Sequence, residues 1–257
     1  MKVRILGCGP SYGVPSLSRG YGECNPNNPK NIRLRTAMLL TTEYGNIVFD
    51  TGPEIRQQLI AAGTPKIDAV VYTHAHYDHM GGAEDLRKAL GNTDAPQPLP
   101  VYLTHTDERE FRNLLYFAFK PIVDTPLFDI RNIKPYQEFD INGLKIFPIK
   151  QYHDINNTNI SIGYRIKDFA YSTDVKKMDE EGFEALKGIK TWILGVTTPT
   201  QNPKHINLEE ALEWIERIKP ERVFLTHMGT RMDYDTLCQK LPPHIRPVYD
   251  GMEIDIE

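Results

Sequence analysis

The sequence predicts an α/β fold, and three observations carry that prediction. Short apolar runs rich in β-branched residues recur along the chain, as at 67–72, 144–149 and 222–226, and read as buried strands. Stretches with helical spacing stand between such runs, the strongest at 208–218. The third observation is Thr73-His74-Ala75-His76-Tyr77-Asp78-His79, which follows one strand-like run and precedes Gly81, Gly82 and a helical stretch. Strand ends of this kind are where α/β folds place chemistry.

The chain has 257 residues, of which 40% are hydrophobic and 25% charged, the composition of a soluble globular protein. That length suits one large α/β domain or two small ones, and a single domain over 1–257 is expected. With 34 acidic against 30 basic residues the formal net charge is -4, which gives no electrostatic reason to expect long nucleic acid as a partner. Cys8, Cys24 and Cys238 are too few, and odd in number, for a disulfide framework; they fit a reducing cytoplasm. Residues 1–7 lack the longer apolar region of a signal peptide, and no apolar run approaches the roughly 20 residues that span a membrane.

In chain order, 2–6 read as a first strand, and Gly7-Cys8-Gly9-Pro10-Ser11-Tyr12-Gly13-Val14-Pro15 as the loop leaving it. Such a loop lets backbone N–H groups approach and cradle an anion, although a tight turn at a sheet edge accounts for the same residues. Residues 16–32 are polar and aperiodic, a long loop of the kind that is often functional. Strands at 36–42 and 46–49 are joined through Glu43-Tyr44-Gly45. The second ends at Asp50, which has two readings of equal weight. It orients a ligand histidine from behind, or it caps a helix that Pro53 opens and that runs to Ala62.

After the histidine cluster the spacing predicts a helix over 83–90, a linker with three prolines over 91–100 and a strand over 101–103. His105 adjoins Asp107, Glu108 and Arg109 at a helix start and reads as a surface residue. Phe111, Leu114, Leu115, Ala118 and Phe119 share a helical spacing and read as core or a dimer face. Residues 120–140 have no clear period; they form either a plain connection or a segment that overhangs a site or meets another subunit. Strands follow at 144–149, 159–166, 169–171 and 191–196, with a helix at 178–186. A polar loop then leads to Asn207, the cap of the helix at 208–218. A strand at 222–226 and a helix at 234–241 complete the pattern, and His244 reads as structural or surface.

The chemistry of the cluster follows from its ligand types. Neutral imidazole nitrogens and carboxylate oxygens are what borderline divalent metals prefer. In an extended loop His74 and His76 point to one side, while Asp78 and His79, one turn on, face a second point nearby. The spacing suits two adjacent metals. A lone histidine on an apolar face is usually structural, but three within six residues, with an aspartate and small flanking residues, are not explained that way.

This HxHxDH pattern after an apolar strand resembles the metallo-β-lactamase superfamily. The resemblance implies a four-layered αββα sandwich, with two mixed sheets face to face, helices outside and the site along one edge. It also implies a further histidine, a bridging aspartate and a last histidine, each at a strand end. His153, Asp174 and His227 occupy those places in that order. By the same resemblance His74, His76 and His153 hold one metal, Asp78, His79 and His227 hold the other, and Asp174 bridges them. The implied cofactors are two divalent ions, zinc or manganese, between which ligand type does not choose.

A narrower resemblance rests on Gly7 to Pro15 (G-x-G-x-S-x-G-V-P), on Cys24 in the next loop, and on Asn31-Ile32-Arg33-Leu34-Arg35-Thr36. These are similar to the phosphoribosyl 1,2-cyclic phosphate phosphodiesterase branch of the superfamily. Members of that branch often carry several cysteines here that bind a structural zinc. Cys24 stands alone, and one thiolate does not make a four-ligand site, so none is expected. His205, just before Asn207-Leu208-Glu209-Glu210-Ala211, also matches the branch. It is the candidate non-ligand catalytic residue, binding phosphate or protonating the leaving oxygen; a loop histidine at a helix start is the plainer reading. Asp78 is a catalytic candidate as well as a ligand.

The implied function is a dinuclear metal-dependent hydrolase acting on a small cyclic phosphodiester such as phosphoribosyl cyclic phosphate. The alternatives are another hydrolase on the scaffold (ribonuclease Z-like, lactonase or thioesterase), a binding or biosynthetic protein resembling the pyrroloquinoline quinone synthesis B proteins, and a non-catalytic metal-stabilised scaffold. A tRNA-processing enzyme would want a basic arm, and no lysine- or arginine-rich insertion is present. The expected partner is a small phosphorylated molecule, with no membrane, and a homodimer is among the options for the branch.

Overall fold

The structure is a computed structural model that describes residues 1–63, 65–88, 98–119 and 127–257. The first half of the chain builds one sheet. β1 (Lys2–Gly7), β2 (Ala37–Thr42) and β3 (Gly45–Phe49) pair antiparallel, and Gly45, at φ 122°, supplies the turn between the last two. β4 (Ala69–Val71), β5 (Leu99–Thr104) and β6 (Phe128–Ile133) extend it in parallel. The second half builds the other sheet from β7 (Phe139–Ile141), β8 (Leu144–Tyr152), β9 (Ile160–Ile166), β10 (Phe169–Ser172), β11 (Thr191–Gly195), β12 (Arg222–Thr226) and β13 (Ile245–Pro247), in reverse sequence order. β14 (Glu253–Asp255) returns to pair with β1, so each sheet has seven strands among the described residues.

Alternation of side chains divides the packing. Val3, Ile5, Met38, Leu40, Ile47 and Phe49 face the second sheet, where Phe49 packs against Tyr164 and Tyr171 in the core that also holds Ile146, Ile162 and Ile193. Their neighbours Leu6, Leu39, Val48 and Val70 face the other way. They are covered by α1 (Ile55–Ala61), by α2 (Tyr77–Met80) and by Phe111 of α3 (His105–Leu114). β3 and β4 are thus buried on both faces, which is why they read as unbroken apolar runs. α4 (Glu180–Leu186), α5 (Leu208–Ile218) and α6 (Tyr234–Lys240) cover the second sheet through Phe183, Leu186, Ala211, Ile215, Ile218 and Leu237. The layers are those of an αββα sandwich. α5 is fixed at its start by a capping box, Asn207 with Glu210.

Several elements differ from the sequence-based expectations, each for a physical reason. The helix expected over 83–90 is a 3₁₀ segment, Ala83–Lys88, and the α-helical turn comes earlier, inside the histidine cluster. Gly81 and Gly82 end that turn, two residues of low helix propensity at positions where a Cβ would press into Tyr77 and into the carbonyl of Gly52. α1 starts at Ile55 without a side-chain cap, so Asp50 does not cap it. Leu114 is 39% exposed while Phe111, Leu115 and Ala118 are buried, because the α-helix ends there and gives way to a 3₁₀ turn at Tyr116–Phe119. Within 120–140, Phe128–Ile133 is an edge strand; Asp129, Arg131 and Asn132 along it hid the strand period. The linker expected at 91–100 and the segment at 120–126 fall largely or wholly outside the described residues.

One buried charge folds the long polar loop onto the rest of the molecule. The Arg33 guanidinium, 1% exposed, donates to the carbonyls of Met228 (3.3 Å), Gly229 (3.2 Å) and Met232 (2.6 Å) and to Asn31 Oδ1 (3.0 Å). Cys24 is buried beside it, with Sγ 4.0 Å from Nη1.

Candidate metal centre

Strand direction gathers the residues. β10, β11 and β12 are parallel, with Ser172, Leu194 and Leu225 in register, so Asp174, Val196 and His227 emerge together two residues further on. β8 runs the same way and delivers His153. β3 and β4 end facing this edge and deliver Asp50 and His74. Asp50, Asp174 and His227 have φ of 62°, 53° and 56°. Three non-glycine residues in the left-handed region at three strand ends turn the chain sharply where side chains must converge, a strain typical of functional sites.

The result is two quartets that share a carboxylate. His74, His76, His153 and Asp174 bring ligand-type atoms within 4.8 Å of one another, and so do Asp78, His79, Asp174 and His227. In the first, His74 Nε2 and His153 Nε2 lie 2.8 and 3.1 Å from His76 Nδ1, and His153 Nε2 lies 3.3 Å from Asp174 Oδ2. In the second, Asp174 Oδ1 lies 3.2 Å from His79 Nε2 and 3.1 Å from His227 Nε2, and Asp78 Oδ2 is 3.3 Å from His79 Nε2. Asp174 therefore turns one oxygen to each group. All seven side chains expected from the sequence lie here, and all but His76 are buried.

Each buried imidazole is held from behind through Nδ1. His74 meets Thr73 Oγ1 at 3.0 Å, His79 meets Asp50 Oδ2 at 2.7 Å, His153 meets the Lys204 carbonyl at 3.1 Å and His227 meets Thr197 Oγ1 at 2.9 Å. Such contacts fix ring orientation and leave Nε2 as the free atom. Nε2 of His79 and of His227 are buried and make no hydrogen bond. Orphaned buried nitrogens aimed at paired carboxylates are costly unless something else occupies the space. Imidazole and carboxylate donors in two four-atom groups fit two divalent cations.

The electrostatics agree with that fit. Burial pushes the His74 imidazole well below the ordinary histidine range, and the neighbouring His79 adds to the shift. For Asp174, burial acts upward, but His227 and His79 outweigh it and hold the carboxyl well below the ordinary range. For His79, burial favours the neutral ring, yet Asp174, Asp50 and Asp78 together hold its proton well above the ordinary range. That proton sits where a cation would displace it.

Asp50 belongs to this support, which resolves its two readings. Its carboxylate accepts from Thr73 N and Thr73 Oγ1, each at 2.8 Å, as well as meeting His79. Sequence reasoning missed Thr73, Thr197 and Asp107. Asp107 accepts from Thr104 Oγ1 at 2.6 Å and from the backbone N–H of Ala75, pinning the loop between His74 and His76. A hydroxyl or carboxylate placed next to strand ends was the available signal, and it is too common to single these out.

His205 stands outside both quartets. Its Nδ1 is 4.0 Å from Asp174 Oδ2, and its ring packs against His153 and His227 with centroids 4.8 and 5.0 Å away. Burial drives its proton affinity down to about 3, so it is neutral in the free protein. His105, 91% exposed in its side chain, and His244, also exposed, take no part.

Comparisons with known proteins agree with this architecture. The family model for a β-lactamase superfamily domain matches residues 45–228. The chain is 32% identical, over all of its length, to a protein named octanoyltransferase from Porphyromonas gingivalis, and it spans about half (52%) of that relative. Among solved structures, a diphosphatase of the PhnP family superposes with a TM-score of 0.91 at 25% identity, covering 100% of this chain and 98% of the other. Zinc-bound PqqB from Methylobacterium extorquens superposes with a TM-score of 0.76 at 16% identity over the whole of both chains, a likeness of fold.

Proposed function

The chain belongs to the β-lactamase superfamily, and from that premise we propose that it is a metal-dependent phosphodiesterase acting on a small cyclic phosphodiester such as phosphoribosyl cyclic phosphate. The observation that carries the reading is the pair of quartets joined through Asp174, with His205 beside them and unattached to either. Likeness to a diphosphatase at 25% identity supports a phosphoryl substrate. In this reading 1–257 is a single hydrolase domain of the cytoplasm. His74, His76 and His153 would hold one zinc or manganese ion, Asp78, His79 and His227 would hold another, and Asp174 would serve both.

When bound, the ions supply the positive charge that lowers the pKa of water and offsets charge developing on phosphoryl oxygens. The chain supplies the rest. Thr73, Asp50, Thr197 and the Lys204 carbonyl keep the imidazoles aimed, so little reorganisation accompanies reaction. Neutral His205 offers an N–H to a phosphoryl oxygen. An anionic diester against it favours its protonated form, from which the proton passes to the leaving oxygen.

The test is hydrolysis of bis(p-nitrophenyl) phosphate by protein loaded with manganese or zinc, beside His76→Ala and His205→Ala. Turnover is expected to vanish in the first and to fall by about 10²–10⁴ in the second. No turnover with metal measurably bound sinks the reading. A second reading, hydrolysis of an acyl ester or thioester, is suggested by the name of the relative, an octanoyltransferase, of which this chain matches about half (52%). It predicts release of octanoate from an octanoyl thioester under the same conditions.

A further inference from the structure

His205 differs from the ligand imidazoles in how it is held. Each buried ligand ring is braced through Nδ1, whereas among the described residues no hydrogen bond holds the His205 side chain. Its ring is placed by packing against His153 and His227 and by the backbone of the loop that carries it, 202–207. The same loop supplies the Lys204 carbonyl that steers His153 Nδ1 at 3.1 Å. One backbone segment thus sets both a ligand ring and its non-ligand neighbour, and whatever fixes that segment acts on both.

A buried cation fixes it. Lys176 lies two residues after Asp174, and its Nζ donates to Glu210 Oε1 at 2.6 Å. The other oxygen of Glu210 accepts from the backbone N–H of Asn207, and Asn207 Oδ1 accepts from the N–H of Glu210, both at 2.8 Å. The backbone N–H of Lys176 donates to the carbonyl of Tyr152, the residue before His153, at 2.7 Å. Between these ties Ile206 N donates to the Val175 carbonyl at 2.8 Å. Lys176 therefore links the end of β8, the segment after β10 and the first turn of α5, the three places from which His153, Asp174 and His205 are delivered. Among the described residues Arg33 and Lys176 are the buried lysine and arginine side chains. Desolvation of an ammonium offsets most of what a single ion pair returns, so such a pair is weak as a source of stability and stronger as a fixer of geometry.

We propose that Lys176 and Glu210 are positioning residues of the centre: their ion pair sets the 202–207 loop so that His205 meets the substrate and the Lys204 carbonyl keeps His153 aimed. The part that concerns His205 rests on the phosphodiesterase reading; the part that concerns His153 does not. The experiment measures kcat and KM for bis(p-nitrophenyl) phosphate at saturating zinc, where occupancy no longer limits the rate, in Lys176→Met, Lys176→Arg and Glu210→Gln. It repeats Lys176→Met in a His205→Ala background. Lys176→Met is expected to lower kcat by about tenfold or more with KM little changed, since a small misplacement of a reacting group costs that much, and Lys176→Arg to recover most of the loss. In the His205→Ala background the same substitution is expected to change kcat less than about twofold, because the group it positions is gone. Glu210→Gln keeps an oxygen for the Asn207 N–H but removes the charge; it is expected to match Lys176→Met, which separates loss of the pair from a packing fault at one residue. A kcat within twofold of wild type in both Lys176→Met and Glu210→Gln, or an equal loss with and without His205, overturns the proposal. If wild type does not turn the diester over, the phosphodiesterase reading fails, and zinc affinity measured against a chelator decides. A loss of about tenfold in Lys176→Met, recovered in Lys176→Arg, upholds the positioning of His153; equal affinity in all the proteins overturns it.

Discussion

Asp50 touches no candidate ligand atom at the centre, yet it holds the ring of His79 at 2.7 Å and the Thr73 side chain and N–H at 2.8 Å. Replacing it leaves the ligand set intact and unfixes one ring. Asp50→Ala is expected to weaken metal affinity by about 10–100-fold, read by competition with a chelator. Asp107 acts on the same loop and adds a pH dependence. Burial raises its carboxyl to about 6 from an ordinary 3.8. Because the folded value is the higher one, its contribution is most favourable below pH 3.8 and is lost as pH rises through 6. The loss approaches about 3 kcal/mol, from about two units at 1.36 kcal/mol each. Asp107→Asn cannot ionise and lacks this slope. The difference in urea stability between wild type and Asp107→Asn is therefore expected to shift in favour of the variant between pH 4 and 7; a constant difference would refute the assignment. Legibility at this scale followed locality. His74, His76, Asp78 and His79 announced themselves because they are neighbours in sequence. His153, Asp174 and His227 were singled out only through a family resemblance, and Thr197 had no local mark, because its partner lies thirty residues away.

At the scale of elements, the centre is made of strand ends braced by close backbone contacts. α2 rests on the segment after β3: Thr51 N donates to the His79 carbonyl at 2.6 Å, and Gly82 N donates to the Thr51 carbonyl at 2.8 Å. Gly52 has no space for a side chain, since a Cβ there would press into the carbonyl of Asp78. Gly52→Ala is expected to destabilise the fold by about 1–3 kcal/mol and to weaken metal binding with it, seen as a lower thermal midpoint and a raised dissociation constant. The strand and helix periods of the sequence were sound wherever an element is buried on one or both faces, as in β1–β4 and α5. They failed at the sheet margins. β6 sets Asp129, Arg131 and Asn132 among Phe128, Ile130 and Ile133 with no regular alternation of burial, and β14 is a three-residue edge, so neither carries a clear period.

Across the whole molecule, specific polar links supplement the apolar core that joins the two halves of the chain. Ile162 N donates to the Thr73 carbonyl at 2.9 Å, and the Tyr164 hydroxyl to the Tyr72 carbonyl at 2.6 Å, so the sheets are tied at the edge that bears the site. Arg33 does the same from the N-terminal loop, crossing nearly two hundred residues to the segment after His227. Arg33→Leu would take from the Met228 and Met232 carbonyls the donor that Arg33 supplies, each at a cost of about 1–3 kcal/mol, while the Gly229 carbonyl keeps Met232 N. A loss of at least about 3 kcal/mol in urea stability is expected, and Arg33→Lys is not expected to restore it, since one ammonium cannot span the same acceptors. An unchanged midpoint in Arg33→Leu would show the clamp to be dispensable. The sequence displayed Arg33 only as part of a motif; its burial depends on a loop closing over it, which no local period encodes.

The single carboxylate of Asp174 sits at the junction of both quartets, one oxygen to each. In the proposed dinuclear centre the two occupancies are therefore linked. An ion at one point would draw on the same carboxylate that the other point needs, and by reciprocity each ion would alter the hold on the other by the same factor. Metal titration of one group would therefore not be independent of the other, and substitution of Asp174 would disturb both at once.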